Sequence, residues 1–394
     1  MNHDAHIPAE PATDRRVVIG LSGGVDSTLA AALLCEAGWE VIGVTLRLLP
    51  CTEPGDRRSC CGLDGITQAR AAAARLGIPH YVLDCREVFE AQVLGPCWEE
   101  YAGGRTPNPC MLCNRFIKFG FLLDAARQLG AGRIATGHYA RLAPTAAGGV
   151  CLCRGADRGK DQSYFLATLN ADQLAAALFP LGELTKAAVR RQAAERGFAN
   201  AERADSQDVC FAVDDGGFAE FLRRRLQGEA RPGPVLEAGT EREVGRHQGI
   251  HRFTIGQRRG TGLALGRPVW VQEIRAEPAT VVVCSDPAQL LAAGMHLDRL
   301  VWHGPPPPPG TAVQAAVQTR YRQEAVPCTA VPNAADAATV RFAHPVRAVA
   351  PGQIAVLYQE DRVSLAGRIV AVIPAPATQQ YPPGAAPGTQ QPDR

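Results

Sequence analysis

Arg16-Val17-Val18-Ile19-Gly20-Leu21-Ser22-Gly23-Gly24-Val25-Asp26-Ser27-Thr28-Leu29-Ala30-Ala31-Ala32-Leu33-Leu34 is the stretch that decides the fold. Arg16 to Leu21 is a short apolar run with β-branched residues, the pattern of a strand buried on both faces. Thr28 to Ala37 is built from strong helix formers, and Gly38 is placed to end that helix. Between strand and helix stands Ser-Gly-Gly. Gly23 and Gly24 have no side chain to hold an anion away from the backbone N–H groups. The helix N-terminus adds partial positive charge. Ser22 and Ser27 supply hydroxyl donors, and Asp26 can reach a magnesium ion carried by a phosphate. The stretch lacks the Gly-Lys-Ser/Thr ending of a Walker loop and the spacing of a dinucleotide glycine turn. An ordinary glycine turn capped by Asp or Ser is the plain alternative. The strand–turn–helix context favours a phosphate loop.

Working outward, the alternation continues. Glu40 to Leu48 reads as a strand, Ile66 to Leu76 as a helix closed by Gly77, and His80 to Asp84 as a strand. Asn114 to Leu129 reads as a helix and Arg133 to Gly137 as a strand; Leu174 to Arg196 reads as helical, broken at Phe179-Pro180-Leu181-Gly182. Strands alternating with helices predict an α/β fold with a doubly wound parallel sheet, whose ligands sit at the carboxyl ends of the strands. Past residue 213 short β-branched runs dominate: Val235-Leu236, Val269-Trp270-Val271, Val281-Val282-Val283. Pro305 to Pro309 reads as an extended surface segment, and Ala312 to Val372 as a small barrel or sandwich. The expected organisation is a nucleotide-binding domain at 14–212, a small central β-rich domain at 213–288, a barrel-like domain at 289–374 and a disordered tail at 375–394.

The bulk properties narrow the function. A chain of 394 residues with 46% hydrophobic residues can bury several cores. A formal net charge of +2 means that a nucleic-acid partner must be held by local basic patches. No run of about 18 uncharged apolar residues occurs, and the start, Met1 to Arg16, does not read as a secretory signal, so the expectation is a cytoplasmic protein with no membrane span. The 13 cysteines are odd in number and argue against a disulfide framework. Cys35, Cys85, Cys284 and Cys328 read as small packing residues. Cys60-Cys61 and Cys151-x-Cys153 invite a zinc reading, but no complementary pair stands at structural-zinc spacing. Arg252, Arg258, Arg259 and Arg267 cluster with Phe253, which suits phosphate contact and stacking as well as a solvated basic loop.

Two cysteine segments carry further chemistry. One is Thr106-Pro107-Asn108-Pro109-Cys110-Met111-Leu112-Cys113-Asn114-Arg115-Phe116-Ile117-Lys118-Phe119, the other Asp205-Ser206-Gln207-Asp208-Val209-Cys210-Phe211. Cys113 stands just before a predicted helix, whose dipole is expected to lower its pKa. Cys210 lies among polar residues and is expected to be exposed. Taken singly, each reads rather as a buried cysteine, or, for the Cys110-x-x-Cys113 pair, as half of a zinc site.

Ser22-Gly23-Gly24-Val25-Asp26-Ser27 resembles the PP-loop of ATP pyrophosphatases, which cleave ATP to AMP and pyrophosphate. Together with the cysteine segments, and with Thr136-Gly137-His138-Tyr139-Ala140-Arg141, Lys160-Asp161-Gln162-Ser163-Tyr164-Phe165, His251-Arg252-Phe253-Thr254-Ile255-Gly256-Gln257-Arg258-Arg259-Gly260, Arg320-Tyr321-Arg322 and Pro345-Val346-Arg347-Ala348-Val349-Ala350-Pro351-Gly352-Gln353, it resembles the tRNA-specific 2-thiouridylase family from about residue 16 to about residue 372. The resemblance implies ATP-dependent replacement of the C2 oxygen of the wobble uridine of tRNA by sulfur. It implies Cys113 as nucleophile and Cys210 as persulfide carrier, charged by an upstream sulfur-relay protein. The resemblance also implies ATP and Mg²⁺ contacts at Gly20, Leu21, Ser22, Gly23, Gly24, Val25, Asp26, Ser27, Leu46 and Gly137. Asn108, Pro109 and Cys110 match the segment facing the target base. His138, Lys160, Asp161, Gln162, Arg320, Tyr321 and Gln353 match tRNA contacts, and the implied assembly is a monomer.

Many members of that family carry Asp where this chain has Cys110, so the carboxylate's role does not transfer. Cys110, Cys113 and Cys210 make a three-thiol set that would suit a four-iron, four-sulfur cluster with one open iron. Two other readings stay open: a PP-loop synthetase acting on a small molecule, and a non-enzymatic RNA-binding protein that keeps a nucleotide fold.

Overall fold

The computed structural model describes residues 15–49, 63–145, 148–198, 200 and 217–376. The expectations for the N-terminal stretch before residue 15, for Cys60-Cys61, for Cys210 and its neighbours, and for the tail beyond residue 376 lie outside the described residues. The chain divides into two compact units: Met1–Trp98 with Asn108–Gln227 and Asp361–Ser364, and Glu99–Pro107 with Gly228–Glu360 and Leu365–Arg394.

The first unit is built on a five-stranded parallel sheet. Its strands are β1 (Arg16–Gly20), β2 (Glu40–Arg47), β3 (His80–Asp84), β4 (Arg133–Ala135) and a short strand, Ala177–Leu178, in the order β3-β2-β1-β4 and then Ala177–Leu178. Val17, Val18 and Ile19 of β1 have no exposure, as a strand between two parallel neighbours requires. From β1 the chain winds one way through β2 and β3, then returns to the other side of β1 as β4. The carboxyl ends of β1 and β4 therefore flank a topological switch point, where such sheets bind ligands.

Helix α1 (Val25–Glu36) starts three residues earlier than its apolar run predicts, because Gly24 caps it and its carbonyl accepts from the Thr28 N–H at 3.2 Å. Leu29, Ala30, Ala31 and Leu34 are fully buried against Trp39 and the sheet. Helix α2 (Leu63–Leu76) covers the neighbouring face. The helix predicted from Asn114 instead begins at Pro109: α3 (Pro109–Leu112) runs into a π-helical stretch, Cys113–Phe121, and on into α4 (Leu122–Gln128). The Asn108 side chain caps it by accepting from the Met111 N–H at 3.3 Å, which the short Pro-Asn-Pro segment concealed. The helical reading of 174–196 splits. Helix α5 (Ala171–Ala176) opens with a capping box between Asn170 and Gln173, Ala177–Leu178 joins the sheet, and α6 (Lys186–Glu195) begins after Thr185. A hairpin, Ala140–Pro144 with Val150–Arg154, was not foreseen. As expected of residues two apart on a strand, Cys151 and Cys153 share one of its faces, sulfur to sulfur 3.9 Å.

The second unit holds two β assemblies. In the four-stranded sheet, Trp270–Arg275, Thr280–Cys284, Gly233–Glu237 and Glu243–His247 lie side by side in that order over a core of Val235, Ile250, Phe253, Val271, Val281 and Val283. The other assembly runs Leu291–Trp302, Ala337–Arg347, Val326–Ala334, Val313–Gln318, Ile354–Gln359 and Arg362–Pro374, and the last strand pairs back with the first. This closes a barrel around Met295, Leu297, Val317, Val340, Leu357 and Ile369 and leaves no open edge. It decides the barrel-or-sandwich alternative. Pro305 to Pro309 lie outside regular structure between the first strand and Val313–Gln318 and are largely exposed, as their composition predicts. No helix among the described residues is long and apolar enough to cross a membrane.

Candidate active site

The Ser22–Ser27 loop leaves β1 at the switch point, and its own hydroxyls shape it. The Ser27 hydroxyl donates to the Gly24 carbonyl at 3.1 Å and accepts from the Ser22 N–H at 3.2 Å. The Ser22 hydroxyl accepts from the Gly24 N–H at 3.4 Å. Gly23 has φ +76°, and a Cβ there would lie 2.6 Å from the Gly65 carbonyl oxygen. Gly20 ends β1, Leu21 is 2% exposed with its N–H on the Val44 carbonyl, and Val25 is 4% exposed. These residues hold the loop, while Ser22, Gly24 and Asp26 keep partial exposure to a ligand. Leu46 is half-buried at the end of β2, one strand away.

Gly137 completes the loop's wall from the end of β4. A Cβ on it would meet the Asp26 carbonyl carbon and the Ser27 nitrogen, both at 2.8 Å, so the two backbones pack face to face there. Asp26 does not project as a lone acid. Lys186, at the start of α6, reaches both its oxygens at 2.7 and 2.8 Å, and the Tyr139 hydroxyl donates to it at 2.7 Å. Lys186 is 9% exposed. Sequence reasoning missed it because a lysine at a helix start carries no motif signal. The Asn200 amide donates to the Gly23 carbonyl at 3.0 Å and to the Thr28 hydroxyl at 3.1 Å, bracing the loop from a distant part of the chain.

The next residue of the same β4 loop faces the cysteine helix. His138 lies between Phe119 and Phe179, ring centroids 6.1 and 6.3 Å away, and its Nδ1 is 2.7 Å from the Thr136 hydroxyl. Burial, helped by the Lys118 charge, holds its pKa well below the usual imidazole value, so it is neutral at physiological pH.

Cys113 is 2% exposed. The expected dipole-lowered pKa does not hold, because Cys113 lies beyond the first helical turn, where that effect has faded, and in an apolar setting. Burial pushes its thiol up to about 11; Lys118 pulls it down and Cys110 raises it. Cys110, half-buried one turn earlier, is likewise raised by burial and lowered by Lys118. Lys118 is thus the cation shared by both thiols and His138. The π-helical turn explains its reach. Bonds of the i→i+5 kind, such as the Leu122 N–H to the Ile117 carbonyl, bring residue 118 back beneath residue 113. In an α-helix a residue five along would point about 140° away. Cys85, expected to be a packing residue, is buried as predicted; burial, with the Cys113 and Asp84 charges added, pushes its thiol up to about 12.

The candidate RNA residues separate into two kinds. Asp161 is 8% exposed and its carboxylate is used within the protein, accepting from Gly155 and Ser163 N–H groups, the Ser163 hydroxyl and Arg154. Gln162 accepts from the Tyr139 N–H at 2.9 Å and so braces the Tyr139–Asp26 contact. Gln353 donates to the carbonyls of Thr106 and Pro107 at 3.0 and 3.1 Å, fixing the chain that leads to Asn108 and Pro109. By contrast, Arg320 is exposed and Tyr321 half-exposed in a turn where Arg322, at φ +61°, stacks 5.4 Å from the Tyr321 ring. Lys160 is half-buried in the loop before Asp161. Of the basic cluster, Arg252, Arg258 and Arg259 are exposed, but Arg267 pairs with Glu237 and Phe253 is 5% exposed, packed on His247. Phe253 is a core residue, not a stacking platform.

The described residues do not fit a four-iron cluster. Among them no three His, Cys, Asp or Glu side chains are placed to hold a metal, and Cys210 lies outside them. Cys110 and Cys113 are free thiols.

A doubly wound sheet with this Ser-Gly-Gly loop at its switch point, followed by a small β domain and a closed barrel, defines a PP-loop enzyme with appended β domains. Residues 15–214 match the family described as tRNA methyl transferase HUP domain, 219–285 the tRNA methyl transferase PRC-barrel domain, and 292–369 the aminomethyltransferase beta-barrel domain. The chain is 45% identical over 370 residues to the tRNA-specific 2-thiouridylase MnmA of Sorangium cellulosum, covering 92% of this chain and 94% of that one. It is 45% identical to the protein of the same name from Syntrophotalea carbinolica, covering 89% of this chain and 97% of that one. A solved 4-thiouridine synthetase–RNA complex with bound ATP aligns with a TM-score of 0.34 at 16% identity, over 50% of this chain and 44% of that one, a likeness too slight to bear on the argument. The chain belongs to the tRNA-specific 2-thiouridylase MnmA family.

Proposed function

We propose that the chain uses ATP and Mg²⁺ to replace the C2 oxygen of the wobble uridine of tRNA by sulfur, delivered as a cysteine persulfide. The Ser22–Ser27 loop cradles the phosphates with its N–H groups. Lys186 passes from Asp26 to a phosphate, which frees the carboxylate for the magnesium ion. The C2 oxygen attacks the α-phosphorus and pyrophosphate leaves, so that AMP becomes the leaving group on C2. A persulfide on Cys210, loaded by an upstream donor protein, supplies the sulfur. In one order its terminal sulfur attacks C2 and expels AMP, and the Cys113 thiolate then attacks the Cys210 sulfur to release the thiouridine. In the other order Cys113 attacks first and liberates hydrosulfide, which attacks C2. Either order leaves a Cys113–Cys210 disulfide for a dithiol to reduce.

One observation carries this reading. The single loop Thr136–Tyr139 packs on the phosphate loop through Gly137 and on the thiol helix through His138. This shared loop supports the reading, because sulfur transfer to an adenylated base needs the activation site and the thiol on one scaffold. Arg320 and Tyr321 are offered to the RNA, Lys160 with them; Asp161, Gln162 and Gln353 serve by positioning the segments around them. The test is incubation with ATP, Mg²⁺, a persulfide-donating protein and unmodified tRNA, followed by nucleoside mass spectrometry. Formation of 2-thiouridine is expected. Pyrophosphate release that ignores tRNA would favour a small-molecule synthetase, and tRNA binding without pyrophosphate release a non-enzymatic RNA-binding protein.

A further inference from the structure

Within the second unit most arginines of the four-stranded sheet and its loops are neutralised. Arg231, Arg242, Arg246, Arg267 and Arg275 each pair with a glutamate. Arg258 and Arg347 differ. The guanidinium of Arg258 lies 5.8 Å, and that of Arg347 5.5 Å, from the centroid of the same ring, Trp270. Among the described residues neither has a carboxylate partner.

The backbone holds this stack in place. The Gly256 N–H donates to the Val271 carbonyl at 2.7 Å, and the Val271 N–H donates to the Gln257 carbonyl at 2.9 Å. Arg258 thus follows, and Trp270 precedes, a residue of one hydrogen-bonded pair. Gly256, at φ +84°, packs so closely on Ala348 that a Cβ would come within 2.5 Å of the alanine methyl, and the Ala348 N–H is fixed to the Leu290 carbonyl at 2.9 Å. Arg347 precedes that alanine. Three side chains therefore leave three adjoining, fixed backbone positions and converge on one half-exposed indole.

The ring face attracts each guanidinium, but two like charges on one ring repel. Their edge N–H donors stay unspent, because stacking uses only the face of the plane. The arrangement is completed by an anion with several oxygens that a planar fork can grip. Arg259, exposed on the same loop as Arg258, adds a further positive charge, which suits an anion with several phosphates better than one carboxylate.

We infer that Arg258, Trp270 and Arg347 form a docking site for the phosphate backbone of tRNA, separate from the Arg320–Tyr321 turn; the inference rests on the tRNA reading above. The site adds affinity and register without reading sequence.

Its test is tRNA binding by the full chain across a salt series, comparing wild type with Arg258→Gln, Arg347→Gln, the double variant, Trp270→Phe and, as a control, Arg275→Gln. Each single arginine variant should weaken binding about 3- to 10-fold and lower the salt slope by about 1, with the double variant lowering it by about 2. The KM for tRNA should rise accordingly. Trp270→Phe should keep most of the affinity, and Arg275→Gln all of it. Wild-type affinity and slope in both arginine variants, with wild type binding and thiolating tRNA, would overturn the docking site alone. Wild type that does not bind tRNA would overturn the proposed function and the docking site together.

Discussion

The phosphate loop and the thiol helix stand on the same loop after β4, yet they are prepared differently. At Ser22–Ser27 the backbone of the proposed phosphate cradle is set before any ligand arrives. The glycine conformation, the internal hydroxyl bonds and the Gly137 wall are fixed, and Asp26 waits with Lys186. At Cys113 the chemistry is withheld. The thiol is buried, which pushes its pKa up to about 11 and keeps it protonated, and only the Lys118 charge pulls the other way. An adenylated base is short-lived in water, and a free persulfide or thiolate is open to oxidation. Under the proposed reaction, a preformed loop beside a buried Cys113 thiol would restrict both hazards to the complex with RNA.

The comparison can be broken most forcefully at the preformed half. Gly137→Ala and Gly23→Ala place a methyl group against backbone at 2.8 and 2.6 Å. Strain towards the upper end of about 1–3 kcal/mol should lower tRNA-dependent pyrophosphate release by about a hundredfold. Release within a factor of a few of wild type would mean that the loop is not held as described. Next in size, Lys186→Met leaves the Asp26 carboxylate with Tyr139 alone. Steady-state kinetics should give a loss of about tenfold to a hundredfold in kcat/KM for ATP, and an unchanged value would remove Lys186 from the nucleotide site.

The thiol half responds less, and through titration. Lys118→Met removes the charge that pulls Cys113 down. Cys113 should then titrate higher and carry less thiolate at any pH below its pKa, read as a slower rate of Cys113 alkylation by iodoacetamide. An unaltered rate would show that the π-helical turn does not serve the thiol. The smallest effect is on stability. The pKa of His138 is depressed in the folded state, so its contribution is present above pH 6.5 and is lost as the pH falls towards the folded value. Cys113 is raised from 9.0 to about 11, so its contribution is intact below pH 9.0 and is lost as the pH rises to about 11. Urea unfolding across pH should give a plateau falling on both sides, with the acid limb flattened in His138→Gln. An acid limb of wild-type steepness in that variant would assign it elsewhere.

The sheet was legible because buried parallel strands and Gly-ended helices write their periodicity locally: His80–Asp84 is found where it was read. The phosphate loop was legible for the same reason. What escaped depends on contacts distant in the chain. Lys186 meets Asp26 across 160 positions, and a helix-start lysine looks like any other. The thiol was misjudged because burial, which raises its pKa, is a tertiary property, whereas the dipole argument that would lower it is local. Phe253 escaped for a related reason: it stands in arginine-rich sequence, and only packing decides that the core takes it while Trp270 meets the arginines.

The most direct measurement uses Cys113→Ser, followed in a single turnover with ATP, Mg²⁺, a persulfide donor and unmodified tRNA. Pyrophosphate release and 2-thiouridine are recorded from the same samples. Two halves with separate duties predict pyrophosphate release close to wild type and no 2-thiouridine. Wild-type levels of 2-thiouridine from Cys113→Ser would contradict the account.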